Sequence, residues 1–166
     1  MNTDFINLTA ENLSNEHLCC IIRSKKSHPG IEAKRQWLSD RLKEGHVFRK
    51  LNAKVTVFIE YAPLEKAWVP IMGGNYYYLY CLWVLGSPRG NGYGSSLMEY
   101  CIADAKEKGK SGICMLEQKN RRIGFQTNHL QRSSALRWLT LPIMDMNCLL
   151  FLLMGQPRNS LQMLKG

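Results

Sequence analysis

Apolar residues recur along this chain with two periods, and the change from one to the other marks its elements. Asp4–Leu8 reads as a short strand. Thr9 follows as a helix N-cap with Glu11 in the first turn, and Leu13, His17, Cys20 and Ile21 fall at helical spacing. After a basic loop with Pro29-Gly30, a second helix is predicted over Ile31–Glu44. Trp37, Leu38 and Leu42 form its apolar face and Gly45 its stop. His46–Leu51 and Lys54–Tyr61 then read as antiparallel strands around Asn52-Ala53. Val55, Val57 and Ile59 alternate there with Lys54, Thr56, Phe58 and Glu60, and Pro63 ends the run. A loop carrying Trp68, Pro70 and Gly73-Gly74 leads to Tyr76–Leu85, an apolar, aromatic stretch suited to a central strand.

The period then becomes helical. Gly94–Lys108 places Leu97, Met98, Cys101, Ile102 and Ala105 on one face, Gly109 caps it, and Ser111–Leu116 is a further strand. The unit is strand, glycine-rich turn, helix, strand, so its two strands should be parallel with a right-handed crossover. Beyond Glu117 the pattern loses regularity. Glu117–Arg137 is polar, basic and weakly periodic; Trp138–Met154 is apolar but interrupted by Pro142, Asp145 and Asn147. A membrane span needs about 20 predominantly apolar residues, so this stretch is not read as one. There are no internal repeats.

Composition narrows the class. At 166 residues, 45% hydrophobic and 21% charged, the chain suits one soluble domain with a core that needs no staples. The Met1–Ala10 start has neither a basic region nor a long apolar run, so a cytoplasmic protein without a secretory signal is expected. The six cysteines sit mostly among apolar neighbours and form no C-x-x-C pair, as reduced thiols do. His17, Cys19 and Cys20 are close, but no second ligand pair follows at zinc spacing, and no metal is expected. The formal charge is +9. Up to Leu116 there are 15 Lys+Arg against 11 Asp+Glu, a net of +4; from Glu117 there are 7 against 2, a net of +5. No Lys/Arg run exceeds two residues and no aromatic residues interleave with the basic ones, so neither nucleic acid nor membrane is an expected partner. The oligomeric state stays open, a dimer included.

Chemistry concentrates at Arg89-Gly90-Asn91-Gly92-Tyr93-Gly94-Ser95-Ser96. A helix start offers unbonded N–H groups and about half a positive charge, glycines let a ligand approach the backbone, and an arginine adds a cation at the rim. Together they make a cradle for a phosphate or diphosphate, or else an ordinary tight strand-to-helix turn. A dinucleotide fingerprint fails because Ser95 stands where its last glycine belongs. A P-loop fails because Asp104 stands at the leading glycine before Gly109-Lys110-Ser111, which ends a helix.

The arrangement resembles the acetyl-CoA motif of the GNAT superfamily of N-acetyltransferases. That motif has Gln or Arg, two residues, Gly, one residue, then Gly or Ala; Arg89, Gly92 and Gly94 fill the specified places. The elements come in the superfamily's order. Trp83-Val84, Gly92-Tyr93 and Glu99-Tyr100-Cys101-Ile102 are similar to a small microbial subgroup, the YoaP-like domains. The resemblance covers Met1 to about Leu116. It implies an α/β (α+β) fold, a mixed central sheet with helices on both faces. It also implies acetyl-CoA as cosubstrate and direct acetyl transfer to a primary amine of unknown identity. The pyrophosphate would meet Arg89, Gly90, Asn91, Gly92, Tyr93, Gly94 and Ser95. The pantetheine arm would lie between two parting strands, against Leu82, Trp83 and Val84.

Transfer requires the acceptor amine to lose a proton. Glu60, at a strand end beside the cleft, is the first candidate base and His46, at a strand start, the second; a surface carboxylate is the plainer reading of Glu60. Cys81 reads as core. Tyr76, Tyr77, Tyr78 and Tyr80 alternate faces, so half pack and half line the acceptor side. In the superfamily a helix and a strand hairpin follow the strand ending here near Leu116, and often supply a tyrosine as general acid. This chain's last tyrosine is Tyr100. Residues 1–116 therefore form the GNAT-like core. Residues 117–166 are an atypical segment of the same domain, read out of frame or divergent. That segment is expected to be less ordered or less regularly packed than the rest, or else built unlike the superfamily's end, without well-formed paired strands on the substrate side, though the apolar run Leu149–Met154 can still pack there. The alternative function is a catalytically impaired binding or regulatory module on the same fold.

Overall fold

The computed structural model of the chain describes residues 4–19, 28–85, 90–118, 136–143, 146–153 and 161–163. In chain order its elements are β1 (Phe5–Asn7), α1 (Pro29–Leu42), β2 (Val47–Leu51), β3 (Val57–Pro63), β4 (Ile71–Gly73) and β5 (Tyr76–Val84). They continue with α2 (Tyr93–Glu107), β6 (Gly112–Gln118), β7 (Leu136–Ile143), β8 (Met146–Leu153) and β9 (Leu161–Met163). A seven-stranded mixed sheet runs β1-β2-β3-β5-β6-β8-β7, and β4 pairs with β9 in a second, small sheet. β5 and β6 are parallel, as the crossover through α2 requires; the other pairs are antiparallel.

Each helix covers one face. Leu97, Met98, Cys101, Ile102 and Ala105 of α2 are buried against Val57, Ile59, Tyr61, Tyr77, Leu79 and Ile113. On the opposite face Leu38 of α1 packs with Phe48, Phe58, Leu8, Leu13 and Leu18. Farther along that face, Tyr76, Tyr78, Cys114, Cys148 and Leu150 pack beneath Leu64 and Ile71. Local chemistry starts α1: Pro29 stands in its first turn, and His28 Nδ1 accepts from the Gly30 N–H at 3.0 Å. No helix among the described residues is long and apolar enough to cross a membrane.

Two expectations are corrected. The helix predicted from Thr9 through Ile21 is instead a single 3-10 turn, Leu13–Asn15, followed by irregular chain to Cys19; Cys20 and Ile21 lie outside the described residues. Asn12 redirects the backbone: its Oδ1 accepts the Thr9 N–H at 2.9 Å and its Nδ2 donates to Asn7 O at 3.1 Å. Such local side-chain bonds compete with helix.

The second correction is the tail. β8 lies alongside β6 over Gly112–Gln118, and β7 closes a hairpin on β8. The apolar stretch lacks alternation because β8 is an interior strand buried on both sides. Cys148, Leu150 and Leu152 face one cluster, Leu149 and Leu153 the other. Pro142 falls on β7, the edge strand, where a missing N–H costs least.

Candidate active site

The turn before α2 is built from left-handed backbone. Gly90 has φ 85° and Gly92 φ 77°, conformations that side chains resist, and a Cβ at either would meet nothing within 4 Å. Gly92 is the N-cap of α2 and no side chain caps the helix. The first intrahelical bond runs from the Ser96 N–H to Gly92 O at 3.0 Å, so the N–H groups of Tyr93, Gly94 and Ser95 precede the hydrogen-bonded ladder. Gly90, Asn91 and Gly92 are exposed. This open, donor-rich end fits a diphosphate. Arg89 lies outside the described residues. A Cβ at Gly94 would stand 3.6 Å from Val84 Cγ2, so the helix start abuts the end of β5.

From that contact a gap leads inward. β5 and β6 pair only over Tyr76–Tyr78 with Gly112–Cys114, although β5 continues to Val84 and β6 to Gln118. Past Cys114, β6 pairs with β8, while β5 stays on β3. The two parallel strands therefore part beside Leu79–Val84. A β-bulge falls in the same stretch: Glu60 pairs with Cys81 and Tyr61 with Leu79, leaving Tyr80 as the extra residue.

The bulge aims Tyr80 and Cys81 into one cavity of about 530 Å³ on the α1 side, lined also by Ala33, Lys34, Trp37 and Glu60. Glu60 is 3% exposed. Its Oε2 accepts from Lys34 Nζ at 2.6 Å and its Oε1 from His46 Nε2 at 3.2 Å. Burial opposes ionisation of Glu60, but the His46 hydrogen bond and the Lys34 charge outweigh it, and the carboxyl is held below the ordinary carboxylate range. His46 stacks on Tyr80 at 5.2 Å and meets Trp37 edge-on at 5.1 Å. Burial, helped by the Glu60 charge, raises the Tyr80 phenol, so it stays protonated at neutral pH.

Against known proteins, the acetyltransferase (GNAT) family matches residues 10–125. The chain belongs to the GNAT family of acetyltransferases. It is 40% identical over 117 residues to an uncharacterized N-acetyltransferase, YoaP, of Bacillus subtilis strain 168, which is 70% of this chain and 47% of that protein. The chain thus spans about half the length of that curated relative. Its fold is similar to the PaiA N-acetyltransferase of Thermoplasma acidophilum, solved in complex with coenzyme A. The TM-score is 0.58 at 14% identity, covering 90% of this chain and 98% of that one. It is similar also to the ribosomal-protein-alanine N-acetyltransferase of Brucella melitensis, with a TM-score of 0.56 at 17% identity over 96% and 99% of the chains.

Within this GNAT fold the residues singled out in the sequence fall in two places. Leu82, Val84, Gly90, Asn91, Gly92, Tyr93, Gly94 and Ser95 lie along the turn and the parting edge of β5. Leu82 and Val84 pack toward α2, whereas Trp83 turns to the α1 side, its buried Nε1 without a hydrogen-bond partner among the described residues. Glu60 is no surface strand end: β3 runs on to Pro63 and buries it in mid-strand. Cys81 is half-buried: it packs against the core around Leu38 and Phe48 and also lines the cavity. Tyr77 packs beneath α2, Tyr76 and Tyr78 pack on the other face, and Tyr80 alone of the four reaches the cavity. Lys34 and Trp37 were missed. Their one sequence signal is a spacing of three on α1, which puts both on one helical side.

Proposed function

We propose that this chain is an acetyl-CoA-dependent N-acetyltransferase that moves the acetyl group to a primary amine by direct attack. The observation that carries this reading is the parting of β5 from β6, with the uncapped start of α2 at the far end of β5 and the Glu60 cavity on the Tyr80-Cys81 stretch of the same strand. The diphosphate would rest on the N–H groups from Gly90 to Ser95, with Arg89 as its motif cation. The pantetheine arm would follow Leu82–Val84, and the thioester would end near the Tyr80 bulge. The amine nitrogen attacks the thioester carbonyl carbon, a C–N bond forms, the C–S bond breaks, and CoA leaves as a thiolate. Of the two protons the ammonium gives up, one passes to Glu60 and on to water, and the other reaches the thiolate sulfur.

Loss of a positioned base costs about 10²–10⁴-fold in rate. Glu60→Gln should therefore lower kcat within that range and leave acetyl-CoA binding unchanged. The functional test is a panel of primary amines with acetyl-CoA, read by CoA thiol release and by the mass of the product. Acetylated amine supports the enzyme. Bound acetyl-CoA with no product from any amine would support a binding or regulatory module instead.

A further inference from the structure

At the wall of the Glu60 cavity the carboxylate is already paired with an amine. The cavity's charged lining groups are Lys34 and Glu60, bonded to each other at 2.6 Å, and the other lining residues are Ala33, Trp37, Tyr80 and Cys81. The Lys34 ammonium also stands 5.3 Å from the centroid of the Phe48 ring, within reach of a cation–π attraction. The two partners are unequal. The Glu60 side chain is 5% exposed and fixed from its other oxygen by His46, whereas the Lys34 side chain is 28% exposed. Lysine carries a flexible four-carbon stem, so Lys34 can leave for water and Glu60 cannot. A buried carboxylate stripped of its cation is costly, so whatever displaces Lys34 must bring a positive charge.

We propose that Lys34 is an internal stand-in for the acceptor, whose class is therefore a primary alkylamine: an ammonium on an unbranched apolar stem, with no carboxylate or phosphate beside the nitrogen. This rests on the acetyltransferase reading for what happens to the amine, but the binding claim stands on the cavity alone. The lysine side chain beyond its Cα is chemically a butylamine, and the structure shows where its nitrogen is held: on the buried carboxylate, within reach of the Phe48 ring. The incoming ammonium exchanges with that of Lys34 at Glu60. An exchange of one cation for another keeps Glu60 neutralised throughout, and Lys34 becomes hydrated at the mouth. An α-amino acid would instead place its carboxylate next to Glu60, where like charges repel.

Self-occupation lowers apparent affinity in proportion to the fraction of molecules left open; a site filled by Lys34 nine-tenths of the time weakens the acceptor about tenfold. The experiment is calorimetric titration of n-butylamine into the CoA-saturated protein, for the parent, Lys34→Met, Lys34→Arg and Glu60→Gln. The expected result is about tenfold tighter binding to Lys34→Met. Lys34→Arg, which keeps a competing cation, should stay near the parent, and Glu60→Gln should lose binding. Norvaline, which is butylamine with a carboxylate beside the nitrogen, should bind the parent, Lys34→Met and Lys34→Arg more weakly than butylamine does. Weaker butylamine binding to Lys34→Met, or a preference for norvaline that depends on Lys34, overturns the proposal, because Lys34 would then be an anion-binding group. Turnover is scored separately: amine binding as expected without acetyl transfer would leave the binding claim standing and defeat the acetyltransferase reading.

Discussion

Glu60 sits in a strand, Val57–Pro63, whose other residues are apolar, and it is ionised there because two partners hold it. Its pKa is lowered from 4.5 in the fold. The group therefore contributes stability that is fully present above its unfolded value and is lost as pH falls through the folded one. Thermal unfolding followed from neutral pH to about pH 3 should show the parent losing more stability than Glu60→Gln across the acid range. Parallel curves for the two proteins would mean that the pair with Lys34 and His46 does not stabilise the fold. At Gly92 the issue is backbone geometry: with φ 77°, a β-branched residue there strains the turn by about 1–3 kcal/mol before any ligand is considered. Gly94 carries no such φ, and a Cβ there makes an ordinary 3.6 Å contact with Val84. Gly94→Val is thus the cleaner probe of the cradle.

Among the elements, α2 was legible from its sequence and β8 was not. The five residues that the helical period assigned to the core of α2, from Leu97 to Ala105, are the five the fold buries, because a one-sided helix writes its burial into its spacing. The parallel β5–α2–β6 unit followed from the same pattern and from crossover handedness. β8 lies inside the sheet between β6 and β7 and buries residues on both faces, so it carries no alternation to read. The turn of the site was legible too, since left-handed glycines before a helix are local. The Glu60 cavity was legible only in part: Glu60 and His46 stood out by residue type, but the β3–β5 register and the Tyr80 bulge bring Lys34, Trp37 and Tyr80 to them. Leu97 is fully buried and Leu150 is 6% exposed. Leu97→Ala and Leu150→Ala should each cost about 2–5 kcal/mol in denaturant titrations. If Leu150→Ala unfolds at the parent's midpoint while Leu97→Ala does not, the tail is not packed on β6.

For the whole molecule, two features divide the chain near residue 117. The basic excess is denser beyond it, a net of +5 in 50 residues against +4 in the first 116, and no tyrosine occurs there. β7 and β8 give the tail a place in the sheet, and the family match ends within it, at residue 125. We propose that residues 117–166 stand outside the family's frame, through a reading-frame change in the gene. The coding DNA near codon 116 tests this: another frame should continue into a tyrosine-bearing, strand-rich end, and if neither does, the segment is divergent instead.

The account as a whole turns on the path from the start of α2 to the parting of β5 and β6. Its most direct test is calorimetric binding of acetyl-CoA to the parent and to folded Gly94→Val, with thermal unfolding as the control for integrity. The parent should bind, and the valine at the first turn of α2 should weaken binding at least tenfold, a loss of about 1.4 kcal/mol or more. Equal affinity in the two folded proteins would contradict the cradle, and with it the acetyl-CoA site placed there.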